Sequence, residues 1–145
     1  MRDIKFRAWD KKYERMTYFD DEDYLYHYPF VLRLEQTFES DSNYDDGNFE
    51  YKNITDSVEL MQYTELQDKN GTEIYEEDIV EDEDIIGQVI FSVGSFDVKV
   101  LKVKTNVGTC EGVQYPLSDY YDECCVIGNI YEDFGLVEKG EQIWK

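Results

Sequence analysis

LMQYTELQDKNGTEIYEEDIV, residues 60–80, is the stretch whose reading decides how this 145-residue chain folds. Two runs rich in aromatic and β-branched residues flank the polar turn Asp68-Lys69-Asn70-Gly71. That pattern predicts a tight β-hairpin, because such side chains suit a pleated, half-buried surface and the polar tetrad suits a reversal. Asn70-Gly71 fits a type I′ turn, whose two central residues both need positive φ. Ile74–Tyr75 then leads through Glu76–Asp78 into Ile79–Val80.

Outward from this hairpin the same period of two recurs. Gly87–Phe91 and Phe96–Lys104 predict a second hairpin, joined by Ser92–Ser95 around Gly94. In its second strand the alternation slips after Val100, which predicts a bulge near Val100–Leu101 with Lys102 outward and Val103 inward. Val113–Pro116, Cys124–Ile127 and Asn129–Tyr131 extend the sheet, and Tyr131–Glu138 is expected to end in one helical turn. Toward the N-terminus, Ile4, Phe6 and Ala8 alternate with Lys5, Arg7 and Trp9 as a strand with one face to a core, and Arg15–Phe19 returns beside it. Pro29 excludes a clean helix through Tyr24–Phe38, which reads as two short strands. Glu39–Asn48 is the most loop-like stretch; Thr55-Asp56-Ser57 suits the cap of a short helical turn, but Val58, Leu60 and Gln62 read equally well as a strand entering the hairpin. The expectation is an all-β, mainly antiparallel protein with few or no helices. Residues 1–145 are expected to form a single compact unit, its lobes a smaller β-rich N-terminal one at 1–59 and a barrel-like one at 60–145.

Composition bounds the chemistry. Aromatic residues are 16% of the chain, 13 of them Tyr, which argues for an ordered protein despite a net charge of −20. Such a charge repels duplex nucleic acid and anionic membrane, so no direct nucleic acid and no membrane partner is expected. The charge is uneven: Arg2, Lys5, Arg7, Lys11, Lys12 and Arg15 face only three acids within residues 1–16, leaving that segment at +3 and the remainder at −23. A basic strip on an acidic body allows head-to-tail pairing of copies, against the simpler reading of solvated faces with some ion pairs. The opening residues carry no apolar segment, and the three cysteines, Cys110, Cys124 and Cys125, are an odd number with two adjacent. Both point to reduced thiols in a cytoplasm.

Tested against known site chemistry, the residues give no catalytic, cofactor or metal assignment. His27 is the only histidine and sits in an aromatic run, so a Ser-His or Cys-His nucleophile has no evident base. A zinc site from His27, Cys110, Cys124 and Cys125 fails because neighbours on a strand point to opposite faces. Asp41-x-Asn43-x-Asp45 opens like a calcium loop, but Asp46 stands where glycine is required and Lys52 where the bidentate glutamate belongs. In Asp68-x-Asn70-Gly71 the glycine comes too early. Asp97-Val98-Lys99 with Asp84 is the best hydrolase candidate, yet the hairpin register separates the two carboxylates by roughly 20 Å. The acidic runs Asp20–Asp23 and Glu76–Asp84 suggest a surface that imitates duplex phosphates for a DNA- or RNA-binding protein, against a merely solubilising one.

FRAWD at Phe6–Asp10, the 60–80 segment and VIGNIYE at Val126–Glu132 together resemble the YopX family of small phage and prophage proteins. The resemblance implies a cytoplasmic accessory protein of the host cell without a described catalytic site, self-associating as a homo-oligomer. The family commonly has glycine at the positions of Glu65 and Glu77, which implies positive φ there. The leading expectation is a non-enzymatic binding or self-assembling protein, with a possible host protein partner. The alternatives are the acidic nucleic-acid mimic and a metal-dependent hydrolase. Its residues of interest are structural: Phe6, Trp9, Tyr63, Asn70, Gly71, Ile74, Tyr75, Ile127 and Ile130.

Overall fold

The turn at Asp68 shows how the chain solves its geometry. In the computed structural model, which describes residues 2–19, 30–33, 36–42, 49–53, 55–106, 108–133 and 135, the Gly71 amide donates to the Asp68 carbonyl at 3.0 Å. Gly71 has φ +81°, but Asn70 is not among the residues with positive φ. The reversal is therefore a type I turn followed by a left-handed glycine, the three-residue hairpin form, and not the expected type I′. The reason is the Asp68 side chain. Its Oδ1 accepts the amides of Asn70 at 2.8 Å and Thr72 at 2.9 Å, an Asx arrangement that selects the turn. Its Oδ2 accepts the Val126 amide at 2.8 Å, 58 residues away.

The elements follow the expected class: antiparallel strands, and among the described residues no helix of seven or more residues. The chain divides into two compact units, Lys5–Leu60 and Met1–Ile4 with Met61–Lys145. In the first, β1 (Phe6–Asp10) pairs with β2 (Arg15–Tyr18), Trp9 opposite Met16. The Asp10 carboxylate caps the turn between them by accepting the Lys12 and Tyr13 amides. Ala8 and Val58 form this unit's small buried cluster with Phe19 against it. The alternation expected here is only partly kept: Arg7 is buried, whereas Ile4, which belongs to the other unit, is 62% exposed. β3 (Phe30–Arg33), β4 (Gln36–Ser42) and β5 (Phe49–Asn53) make a three-stranded sheet. β4 thus runs into the stretch expected to be loop, because Ser40, Asp41 and Ser42 find ladder partners in Tyr51, Glu50 and Phe49. Residues 20–29 and 43–48 lie outside the described residues, as does most of the helical turn expected near the C-terminus. Thr55–Ser57 forms the short helical turn, of 3₁₀ type, before β6 (Val58–Gln67).

β6 begins in the first unit and continues in the second, where it pairs with β7 (Glu73–Tyr75). Tyr63 stands opposite Tyr75, their rings 5.4 Å apart. The β6–β7 register shifts between Tyr63 and Gln67. At the irregularity Glu65 takes φ 68°, and the Thr64 hydroxyl donates to the Ile74 carbonyl at 2.7 Å. β8 (Asp78–Glu81), β9 (Ile85–Ser92), β10 (Ser95–Val103), β11 (Gln114–Pro116) and β12 (Cys125–Asn129) form a five-stranded sheet in the order β11-β10-β9-β8-β12. This is the half-barrel-like sheet of the larger unit. It wraps a core of Ile74, Val80, Ile85, Val89, Val98, Val100, Leu117, Tyr120 and Cys124.

Two irregularities curl this sheet. The β9–β10 register shifts between Val100 and Lys102, where the sequence places a bulge. A second shift at Ile127 falls between Val126 and Gly128. Lys102, expected outside, is instead 1% exposed, and Val103 is half-buried. Val98, Val100 and Lys102 all face inward, so the bulge is absorbed in the pairing without turning the strand over. Burial pushes the Lys102 ammonium below the usual lysine range; Lys104 adds to this, and Glu111 and Glu81 oppose it.

Two consequences are measurable. Asp68→Ala leaves three backbone donors without their acceptor and should cost about 3–5 kcal/mol in urea unfolding, with Asp68→Asn costing less. Glu65→Gly removes the left-handed strain while losing only an exposed ion pair with Arg2, 3.3 Å long. It should stabilise the fold by up to about 1 kcal/mol, read as a higher thermal midpoint.

Candidate functional site

Glu77 is the junction of the larger unit. It lies between β7 and β8 at φ 67°, in the left-handed region expected for it from the sequence resemblance. The left-handed backbone is retained because both of its polar groups are used. The Glu77 amide donates to the Val89 carbonyl at 2.8 Å, and its carbonyl accepts the Ile130 amide at 3.1 Å. Its side chain accepts from Gln88 Nε2. Asp78, 1% exposed, accepts the Tyr75 amide at 2.7 Å and closes the same turn. Of the acidic run Glu76–Asp84, Glu81 pairs with Lys104 at 2.8 Å, and Asp82 Oδ1 accepts the Asp84 and Ile85 amides at 2.8 Å each. Glu76 is half-buried, and burial raises its carboxyl above the usual range. Much of the run is therefore turn chemistry and not a free row of charge.

The basic segment is likewise spent largely within the chain. Arg7 is 3% exposed, and Arg2 meets Glu65. Lys11 pairs with Glu59 at 2.6 Å, while Lys12 and Arg15 approach the Tyr13 ring at 4.8 and 5.1 Å.

Among the described residues, cavities open on the larger unit at two places. One, of about 520 Å³, is a groove lined by Arg2, Thr64, Glu65, Leu66, Phe91 and Phe96 among others. Phe91 and Phe96 meet edge to face at 5.2 Å across the β9–β10 pair. The strands are joined by Val93-Gly94, with φ 50° and 81°, so a type I′ turn sits here. Val93 is fully exposed. The other cavity, of about 240 Å³, is an acidic cleft lined by Asp82, Asp84, Tyr115, Asp119, Tyr120 and Glu123, with Thr109 beside Tyr115.

Among the described residues the sequence candidates for reaction chemistry stay apart. Asp97 pairs with Ile90 near the hairpin tip, whereas Asp84 precedes the first residue of β9, so the hydrolase pair stays apart. Asp41 lies in β4, opposite Glu50, and Lys52 in β5, while His27, Asn43, Asp45 and Asp46 lie outside the described residues. Asp20–Asp23 also lie outside them. The adjacent thiols diverge: Cys124 donates to the Tyr121 carbonyl and Cys125 to that of Glu81, and Cys110 is exposed elsewhere. Burial, reinforced by Asp68, pushes the Cys124 thiol up to about 12. Ile127 marks the β12 bulge and Ile130 bonds the Glu77 junction, so both act in the frame. Neither cavity was visible in the sequence, since their walls come from separated segments.

At pH 8 iodoacetamide should modify Cys110 readily and leave Cys124 untouched until urea unfolds the chain, as peptide mapping by mass spectrometry would show.

Comparison with known proteins places this architecture. A family model described as YopX protein matches residues 5–138. Among solved structures the chain is similar to the crystal structure of protein EF1440 from Enterococcus faecalis, with 23% identity and a TM-score of 0.54. The match covers 94% of this chain and 99% of that one, and at this identity it concerns the fold alone. No curated protein matches the chain.

Proposed function

This chain belongs to the YopX family, and we propose that it is a small phage or prophage accessory protein of the host cytoplasm that acts by binding or self-assembly and not by catalysis. The observation that carries the reading is the tip of the β9–β10 hairpin. Phe91 is 56% exposed and Val93 102%, beside the groove under Phe96. A β-branched residue held at φ 50° is strained by roughly 1–2 kcal/mol. Fully exposed, Val93 offers nothing to the chain's own core in return. An apolar knob with a shallow groove next to it is a contact surface, and Phe91 is the anchor such contacts use.

The second reading, an acidic mimic that occupies a host DNA- or RNA-binding protein, draws on the net charge of −20. It is less supported, because Glu77, Asp78, Glu81 and Asp82 are bonded within the chain and do not form a free phosphate-like row. The hydrolase reading gains nothing from the separated Asp84 and Asp97. As to membranes, no helix among the described residues is long and apolar enough to cross one.

Sedimentation velocity over a concentration series tests the leading reading. The wild-type chain should sediment as an assembly larger than 17.3 kDa, at high salt as at low. Phe91→Asp should shift it toward the monomer, and Val93→Asn should do the same while raising stability by about 1 kcal/mol through relief of the turn. A wild type that stays monomeric throughout, or assemblies indifferent to both substitutions, overturns the hairpin assignment. Assemblies with a host protein that dissolve at moderate salt favour the mimic instead.

A further inference from the structure

Asn70-Gly71 is the one Asn-Gly step in the chain, and both residues are exposed at the turn between β6 and β7. Asn43, Asn48, Asn53, Asn106 and Asn129 are each followed by an aromatic or β-branched residue. The difference is chemical. The backbone nitrogen after an asparagine can attack the side-chain amide carbon and close a cyclic imide, and a following side chain hinders that approach. Glycine removes the hindrance. A Cβ added at Gly71 would meet nothing within 4 Å, so the surroundings are open as well.

The folded turn opposes the reaction. Five successive amides, from Asp68 to Thr72, all donate hydrogen bonds. That of Asp68 goes to the Thr72 carbonyl at 2.8 Å, that of Lys69 to the Cys124 carbonyl at 3.1 Å and that of Gly71 to the Asp68 carbonyl at 3.0 Å. Those of Asn70 and Thr72 go to Asp68 Oδ1 at 2.8 and 2.9 Å. The Gly71 nitrogen is therefore held as a donor, whereas attack requires it to lose its proton. The backbone torsion adds to this. Asn70 takes the third position of a type I turn, where ψ is about 0°. Ring closure needs the Gly71 nitrogen eclipsed with the Asn70 Cβ about the Cα–C bond, a rotation of roughly 120° from that ψ. Such a rotation swings the Gly71 amide away from the Asp68 carbonyl.

We propose that Asn70 is a site of spontaneous conversion to isoaspartate, gated by Asp68, so that ring closure waits on the opening of the turn. In the open turn base takes the Gly71 amide proton, and the nitrogen forms a bond to Asn70 Cγ. The Cγ–Nδ2 bond breaks, and Nδ2 leaves as ammonia with a proton returned by water. Water then opens the imide. Cleavage at Cγ gives aspartate, and cleavage at the main-chain carbonyl gives isoaspartate, with Gly71 joined through the former side chain. No oxidant or reductant enters.

Isoaspartate adds a methylene to the main chain, which spoils the spacing by which one Asp68 oxygen reaches the amides of both residue 70 and Thr72. It also sets a second carboxylate beside that of Asp68, itself 6% exposed. Asp68 Oδ2 and the Lys69 amide are what this turn lends to the edge at β12, so the conversion loosens the cover of Cys124 and Val126. The change is one-way and marks chains whose turn has opened. It draws nothing from the β9–β10 tip, so it stands or falls apart from the assembly reading.

The test holds the full chain at pH 8 with and without urea and reads position 70 by peptide mapping, with electron-transfer fragmentation to separate isoaspartate from aspartate. In urea Asn70 should convert ahead of Asn106. In the native chain its conversion should be slower by about ten-fold or more, as opening of the turn limits it. Asp68→Asn, shown by circular dichroism to be folded, should recover much of the urea rate; the wild-type comparison stands even where that variant does not fold. In folded chains carrying isoaspartate at 70, the Val126 amide should exchange with deuterium about ten-fold faster. Asn70→Asp adds the charge without the methylene and should raise that exchange less. Equal native and urea rates, no isoaspartate at 70 in either, or unchanged Val126 exchange in the converted chain overturns the proposal.

Discussion

The carboxylate of Asp68 is the constraint on which the larger unit depends. A half-barrel has open edges, and an open edge exposes unpaired backbone groups. Here β12 forms one edge, and the β6–β7 turn covers part of it. Asp68 takes the Val126 amide and the Lys69 amide donates to the Cys124 carbonyl at 3.1 Å. The same carboxylate shapes its own turn, so the local reversal and the long-range closure are set by one side chain, 6% exposed. The far edge is managed differently. β11 is three exposed residues ending in Pro116, which has no amide to offer a further strand.

The strained residues mark where topology overrides local preference. Glu65 and Glu77 lie where β6 is irregular and where β7 turns into β8, and both are left-handed. Glu77 is held by two backbone hydrogen bonds, to Val89 in β9 and to Ile130 just past β12, so long-range contacts sustain a conformation the residue itself disfavours. Val93 differs. The eight-pair register of β9 with β10 leaves only two residues for the loop, and the twist of the strands demands a type I′ turn whatever residues occupy it.

Charge is partitioned by role. Cations near the N-terminus are consumed in ion pairs, ring contacts and burial, and two of the acids in 76–84, Asp78 and Asp82, serve as turn caps. What remains unbalanced gathers at the cleft of Asp119 and Glu123. The apolar hairpin tip and this acidic cleft are thus two distinct surfaces of the same unit, each set by what the frame does not consume.

The residues alone determined the all-β class, the two hairpins, the bulge beside Leu101 and, through resemblance, the left-handed positions of Glu65 and Glu77. These are readable because the period of two and the tolerance of individual residues for positive φ are local properties of the chain. Only the tertiary structure decided that Asn70-Gly71 forgoes the type I′ turn while Val93-Gly94 adopts it, that Lys102 turns inward, and that residues 82–84 and 115–123 enclose one cleft. The two turns are decided by capping at Asp68 and by the β9–β10 register, while the burial of Lys102 and the cleft depend on parts of the sheet far away in sequence. Contacts of that range carry no periodic signature, because they are selected by the closure of the whole sheet and not by neighbouring residues.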